Sequence, residues 1–453
     1  MVIATRGGTL ALGPLRAAPL SRQADPIPHR SRPRRRTGRC RRLQHGSRPT
    51  PATACRRSRP RGEPFIAPSQ QPPDRDRRNR PRIAVDLRAL VPRPTGIGVY
   101  TEALLEELLH QDEFDFVGLA HAPLHDSVRL AERGLAIELH SAPLGVLWQQ
   151  SYLPRRLARG DIDLFWSPLL TLPARLPVPG VVTLHDLAVL HHPETLTWRV
   201  RLSLLPFLEH TVRQAARILT VSHAVANEIA QQWPAAAGRT DVAWNGVAAE
   251  FRPASADELA AIRARLGLPE RYIFFYGTVE PRKNLDLLLD AWETLRSEDP
   301  AAPPLLVAGP DGWGSRRTHR RMERLAAAGL RRLGHLERAD LVAVLQAATI
   351  FVFPSLYEGF GLPAAEAMAC GVPVMVSNSS SLPEVVGDAG QLFDPEDPAE
   401  LAGLLREWLD SPELLAAART RGLERAAGFT WKRSADLHAD SFRRALAEGA
   451  VHP

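Results

Sequence analysis

Lysine is nearly missing from this 453-residue chain: Lys283 and Lys432 are the two present, against 55 Arg. Cysteine is almost as scarce, with Cys40 and Cys55 near the start and Cys370 far downstream. Three such residues give no disulfide framework, and no Cys/His spacing of the metal-ligating kind accompanies them, so a reducing compartment is the default expectation. No run of 18 or more apolar residues occurs, so a transmembrane helix is not expected. Met1 to Leu15 lacks a basic stretch ahead of an apolar core, so a secretory signal is not expected either. A third glycine is absent from the stretch where a bound dinucleotide would need it, which argues against a nucleotide-dependent oxidoreductase.

What is present divides into two unlike parts. Residues 1–80 hold 20 Arg, no Lys and four acidic residues, a net of +16 against +7 for the whole chain, so residues 81–453 are net −9. The basicity therefore belongs to the tail, and a nucleic-acid-binding function for the remainder does not follow from it. The tail is rich in Arg, Pro and Ser, as in Arg30-Ser-Arg-Pro-Arg-Arg-Arg36, and has almost no periodic apolar positions. Such a composition cannot bury enough surface to fold, and we expect disorder. It admits three further readings: an arm for nucleic acid or anionic lipid, a targeting peptide, or a start codon assigned too far upstream. The rest, in a chain that is 44% hydrophobic, has ample material for buried cores.

From Arg82 onward, short apolar runs alternate with helical ones. Arg82 to Arg88 reads as a strand, Val91 to Gly98 as its exit loop and Val99 to Leu109 as a helix. Gly96 and Gly98 would let the backbone approach a phosphate, although a plain tight turn explains the pair as well. Strand and helix signals continue at Phe114 to Ala120, Leu144 to Leu157, Asp163 to Pro168, Gly180 to Asp186 and Ile218 to Ser222. This βα alternation predicts a parallel, doubly wound sheet. Asp161 and Asp163 form a D-x-D at the head of a strand, the wrong end for a ligand in an open α/β sheet. His185 and Asp186 lie at a carboxyl end, where ligands do bind. Trp198 to Arg217 mixes Arg with Leu, Phe and Trp, and could be either a membrane-surface helix or ordinary packing with a solvated Arg face.

In the second half, the strand Tyr272 to Gly277 leads into Thr278-Val-Glu-Pro-Arg-Lys-Asn284. Arg282 and Lys283 are adjacent cations at the start of a helix, where they oppose its dipole, so a bound anion would account for them. Pro304 to Gly309 and Ala347 to Pro354 are further buried-strand signals, and Ala364 to Cys370 is a helix stopped by Gly371 and Pro373. Between the last two, Glu358 and Glu366 stand eight positions apart around a glycine-rich turn. They could accept hydrogen bonds from the hydroxyls of one ligand, or could be simply a solvated helix residue, Glu366, and a turn residue, Glu358.

The string Ser355-Leu-Tyr-Glu-Gly-Phe-Gly-Leu-Pro-Ala-Ala-Glu-Ala-Met-Ala-Cys-Gly-Val-Pro-Val374 closely resembles the E-x7-E signature of the retaining glycosyltransferases of family 4. Thr183-Leu-His-Asp-Leu187, Asn245-Gly-Val247 and Glu280-Pro-Arg-Lys-Asn284 resemble further steps of that family, over residues 82 to about 445. Asn227 departs from it, standing where a Lys is often found. The resemblance implies an α/β chain of GT-B fold, two Rossmann-like domains facing across a cleft. Residues 81–248 would form the acceptor-side domain, 249–430 the nucleotide-sugar domain, and 431–453 a last helix crossing back.

It also implies roles. Arg282 and Lys283 would stabilise the leaving diphosphate, helped by N–H groups of Gly98 and of Phe360, Gly361 and Leu362. His185 would lie by the reacting sugar, Glu358 would hold sugar hydroxyls and Glu366 the ribose. Gly96, Asp186 and Asn245 would complete the donor site, and Gly334, His335 and Leu336 would lie by the base. The implied reaction is metal-independent, retaining transfer of a hexose, mannose-like, from a nucleotide sugar to a saccharide or lipid-linked acceptor. No cofactor is implied, and the place of action would be cytoplasmic, with peripheral contact at the membrane. A catalytically degenerate nucleotide-sugar-binding scaffold is the alternative.

Overall fold

The computed structural model describes residues 80–90, 96–125, 128–191 and 207–449. The Arg-rich tail up to Asn79, the loop Val91 to Thr95 and Trp198 to Pro206 of the basic stretch lie outside the described residues.

Two parallel sheets organise the chain. The first is built from β1 (Arg82–Asp86), β2 (Asp115–Ala120), β3 (Ala136–Leu139), β4 (Leu164–Ser167), β5 (Gly180–Leu184), β6 (Arg217–Thr220) and β7 (Thr240–Val242). Its order is β3-β2-β1-β4-β5-β6-β7. The second holds β8 (Ile273–Tyr276), β9 (Leu305–Ala308), β10 (Arg331–Gly334), β11 (Ile350–Phe353), β12 (Val374–Ser377) and β13 (Gln391–Phe393), in the order β10-β9-β8-β11-β12-β13. Both are doubly wound and reverse direction once, between β1 and β4 in the first and between β8 and β11 in the second. Outside the carboxyl ends at such a reversal a crevice opens, because the two exit loops turn to opposite faces. The central strands read as unbroken apolar runs, such as Ile273-Phe-Phe-Tyr276 and Ile350-Phe-Val-Phe353, because helices cover both faces.

Several boundaries differ from expectation. The first helix begins at Gly96, not Val99, so Gly96 and Gly98 sit in its opening turn. β3, four residues long and exposed at both ends, carries too short an apolar signal to be anticipated. Arg217, expected on the solvated face of a basic helix, instead opens β6 and is buried, its guanidinium bonded to Asp241 at 2.6 and 3.0 Å. Asp161 and Asp163 serve the amino-end edge: Asp163 accepts from the Arg82 backbone N–H at 2.7 Å, and Asp161 bonds Arg156 and Arg82.

The helix Trp431–Gly449 packs on the first sheet. Phe442 lies against Phe114, Phe116 and Trp166, with ring centroids 5.5 to 6.4 Å away. Its entry is interlocked with the earlier crossing between the sheets: Val247 N–H donates to the Phe429 carbonyl at 2.9 Å. A Cβ on Gly246 would stand 2.2 Å from the backbone N of Trp431. A side chain at 246 would thus have to push one crossing off the other. Gly246→Ala should cost about 1–3 kcal/mol of stability, by overpacking; an unchanged denaturant midpoint would show that this close approach is not needed.

Candidate active site

The reversal point of the second sheet carries the charged groups. β8 ends at Tyr276, and its exit loop tightens into the turn Pro281–Lys283, closed by Asn284 in the left-handed conformation at φ 52°. β11 leads into Ser355 to Gly361 and then the helix Leu362–Ala369. These neighbouring loops bring Lys283 and Glu358 together at 2.5 Å, with each residue only 9% exposed. Arg282 lies 3.2 Å from the same Glu358 oxygen, donates to the Tyr357 carbonyl at 2.6 Å and pairs with Glu280 at 2.8 Å. Ser355 donates its hydroxyl to Glu358 at 2.5 Å. The Lys283 ammonium also sits 4.9 Å above the Phe353 ring.

Electrostatics follow from this packing. Burial works to raise the Glu358 carboxyl, but Lys283 and Arg282 outweigh it and hold the group below its ordinary range, ionised. Burial lowers Lys283, with Glu358 opposing. Burial also works to lower Arg282, and the carboxylates of Glu358, Glu280 and Asp186 reverse this. The cations at this helix start therefore have protein counter-charges, beside the bound anion expected to account for them.

The second carboxylate of the signature lives in other surroundings. Glu366 accepts from the Tyr276 hydroxyl, and burial pushes it up to about 7. One signature thus yields an acid held below its ordinary range by neighbouring cations and one that changes charge near neutral pH. The loop before Glu366 is fixed by Ser381, which donates to the Glu358 and Phe360 carbonyls, both at 2.9 Å. Gly361 takes φ 99° to start the helix, and Leu362 is its first residue. Phe360 is buried edge-on against Phe429, with centroids 5.4 Å apart.

Across the cleft the first sheet contributes its β5 exit. His185, half-buried, has its Nε2 2.9 Å from the Pro168 carbonyl, and burial lowers its pKa. Asp186 accepts from the Ala188 N–H at 3.1 Å. The two halves touch backbone to backbone here: a Cβ on Gly359 would lie 1.8 Å from the His185 carbonyl oxygen. Tyr357 reaches over to accept the Leu187 N–H at 2.9 Å and to donate to Glu228 at 2.7 Å. Ser222 caps the helix His223–Gln232 and donates to the Gly359 carbonyl at 2.7 Å. The same helix start is held by Glu384 from the second half, which accepts the His223 and Ala224 N–H groups at 2.8 and 2.9 Å and the Trp244 indole at 2.7 Å.

The remaining candidates are more dispersed. Gly96 and Gly98 lie beyond β1, in the opening turn of their helix. Asn245 is buried at the crossing, its side-chain oxygen without a hydrogen-bond partner. Gly334 ends β10 with φ 70°, its carbonyl accepting from Gly309 N–H at 2.7 Å; His335 beyond it is exposed and Leu336 half-buried. Gly309 is there because a Cβ would meet the Gly277 carbonyl oxygen at 1.9 Å.

Comparison with known proteins identifies this arrangement. Residues 94–251 match the description Glycosyltransferase Family 4 and residues 260–425 match Glycosyl transferases group 1. The O-antigen chain mannosyltransferase B of Escherichia coli is 34% identical over 359 residues, 75% of this chain and 93% of that protein. The chain belongs to the family 4 glycosyltransferases. Another similar protein is the D-inositol 3-phosphate glycosyltransferase of Streptomyces avermitilis, 34% identical over 248 residues, 52% of this chain and 53% of that one. The solved structure of Anabaena HepE in complex with UDP and glucose shares the fold of this glycosyltransferase with a TM-score of 0.64, at 19% identity, over 80% of this chain and 99% of that one. Sucrose-phosphate synthase of Thermosynechococcus elongatus does so with 0.66, at 22% identity, over 82% and 100%.

Sequence reasoning on this family 4 glycosyltransferase missed the roles of Glu280, Tyr276, Tyr357 and Glu384: Glu280 pairs with Arg282 inside its own loop, and the other three bond to residues of distant helices and loops; Glu280 and Tyr357 stand inside the quoted motifs. The Glu366 environment gives a signed expectation. Its folded pKa lies above the unfolded value, so the folded state holds the extra proton between about 4.5 and 7 and loses that stability as pH rises through this window. Glu366→Gln should therefore raise stability at pH 8 by about 1–3 kcal/mol and add little at pH 4. Equal effects at both pH values in denaturant melts would contradict a raised carboxyl.

Proposed function

We propose that this family 4 glycosyltransferase moves a hexose, mannose-like, from a nucleotide sugar to a saccharide or lipid-linked acceptor, with retention and without a metal, in polysaccharide or cell-envelope glycan assembly. The observation that carries the reading is the bonded cluster of Arg282, Lys283 and Glu358 facing the β5 exit at His185. Support for mannose comes from the O-antigen mannosyltransferase relative, which the chain spans almost completely.

The chemistry follows from charge. As the anomeric carbon–oxygen bond breaks, negative charge grows on the leaving diphosphate and positive charge on the sugar ring. Lys283 and Arg282 supply the positive charge at the leaving group, and this reading assigns no metal to it. Glu358, kept ionised by those same cations, accepts sugar hydroxyls. Glu366 does so for the ribose, and Asp186, Asn245 and the opening-turn glycines 96 and 98 complete the donor site. The helix start at Phe360 to Leu362 offers further N–H donors, and Gly334 to Leu336 lie by the base. The acceptor hydroxyl attacks the face the diphosphate leaves, the new carbon–oxygen bond forms there, and the proton passes to the departing phosphate oxygen.

Peripheral membrane contact is part of the reading. Among the described residues, four of the five exposed large apolar side chains are Leu139, Leu144, Val146 and Leu147, the fifth being Trp313. Leu144, Leu147, Ser151 and Arg155 form an outward stripe at and along the helix Gly145–Leu157. From Leu139 to Gly160 the chain has three Arg and no acidic residue. Apolar at one end and basic at the other, this stripe fits an anionic lipid surface on the cytoplasmic side.

Two measurements test the proposal. Purified protein supplied with GDP-mannose, UDP-sugars or dTDP-sugars should turn over one donor class, and Lys283→Ala should lower that rate roughly a hundred- to thousandfold. Nucleotide-sugar binding with no turnover on any acceptor or water would leave a degenerate scaffold instead. Leu144→Ser with Leu147→Ser should weaken co-sedimentation with phosphatidylglycerol vesicles roughly tenfold or more; unchanged binding would reject this surface.

A further inference from the structure

Behind His185 lies a buried chain of polar groups that neither the family signature nor the donor contacts use. Tyr100, in the second turn of the helix Gly96–Gln111 and 1% exposed, sets its ring edge-on to the His185 imidazole, with centroids 4.6 Å apart at 90°. Its hydroxyl lies 2.6 Å from Nε2 of His438 on the closing helix and 3.2 Å from the Thr183 hydroxyl on β5. Thr183 in turn receives the Trp166 indole N–H at 3.1 Å, and His438 Nδ1 lies 2.7 Å from the Ser434 carbonyl.

The direction of every bond in this chain is fixed by chemistry. A carbonyl only accepts, so His438 carries its proton on Nδ1 and Nε2 is an acceptor. Burial pushes His438 down to about 4, so the ring is neutral at ordinary pH, and the Tyr100 hydroxyl must donate to it. Tyr100 then accepts from Thr183, which accepts from Trp166. His185 is ordered by the same rule: Nε2 donates to the Pro168 carbonyl, leaving Nδ1 as its acceptor. Three elements of the first half and the returning helix of the second thus converge on one phenol ring, and that ring is the wall against which His185 rests.

We propose that Tyr100 and His438 are positioning residues for His185, the closing helix locking the phenol through a one-way hydrogen-bond chain and the phenol edge fixing the imidazole toward the sugar. Docking of the closing helix becomes a condition for turnover. This rests on the reading that His185 lines the sugar site.

The test is a set of full-chain variants assayed for transfer and for donor KM, with unfolding midpoints measured alongside. Tyr100→Leu, which removes the ring, and His438→Phe, which removes the acceptor, should each lower kcat roughly ten- to a hundredfold while donor KM stays within about twofold. His438→Gln, which restores an acceptor, should recover most of that loss. The acid limb of the kcat profile should move to higher pH in Tyr100→Leu as water reaches His185; Asp186 and His438 face that ring, and Asp241 acts on His438, so both ionisations are followed in Asp186→Asn as a reference. Lower midpoints with kcat and pH profile unchanged would overturn the proposal. His185→Ala separates the two levels: lost turnover there with intact Tyr100 and His438 variants defeats only the coupling, whereas intact turnover in His185→Ala defeats the reading beneath it.

Discussion

Two opposite charges in near-total burial govern this site. Neither Lys283 nor Glu358 could be taken from water alone without changing its protonation, and removing one partner of such a pair costs about 3–5 kcal/mol. Together, with Arg282 and the Ser355 hydroxyl completing the hydrogen bonds, they tie the exits of β8 and β11 at the reversal point of the second sheet. Three features that face the cleft from that half follow this tie in the chain: Tyr357 reaching across, Gly359 at the crossing of backbones, and the helix that carries Glu366.

The tie also separates the two carboxylates of the signature. Glu358 is surrounded by cations, Glu366 by a tyrosine hydroxyl and apolar walls, and their acidities move in opposite directions for that reason. A site with both can accept hydrogen bonds from one hydroxyl-rich ligand at two points while carrying a single fixed negative charge at one of them. That suits a ligand whose own diphosphate is anionic, since a second fixed carboxylate would repel it.

Contact between the halves is made mainly by backbone and by single polar side chains. Gly359 against the His185 carbonyl, Gly246 against Trp431, and Glu384 on the first turn of His223–Gln232 are contacts of this kind. They specify one arrangement through steric fit and hydrogen bonds. The closing helix is the exception, since Phe442 and His438 bury it firmly in the first half.

The chain's own order of residues determined a good deal. The apolar runs at β1, β2, β4, β5, β6, β8, β9 and β11 announce parallel, covered strands because such strands must be apolar on both faces, and their alternation with helical runs allows few topologies. The E-x7-E string and Glu280-Pro-Arg-Lys-Asn284 point to the family because their chemistry is local, carried within a few residues. Weakly patterned pieces escaped: β3 because its strand is short and exposed at both ends, and the true start of the helix at Gly96 because glycine gives no periodic signal. Tertiary structure alone decided that Lys283 pairs with Glu358 across 75 positions, that Arg217 is buried against Asp241, and that His438 stands behind Tyr100 across 338. Pairings over such separations are set by which strands lie side by side and which helix returns, and nothing in the local pattern of either partner encodes the other.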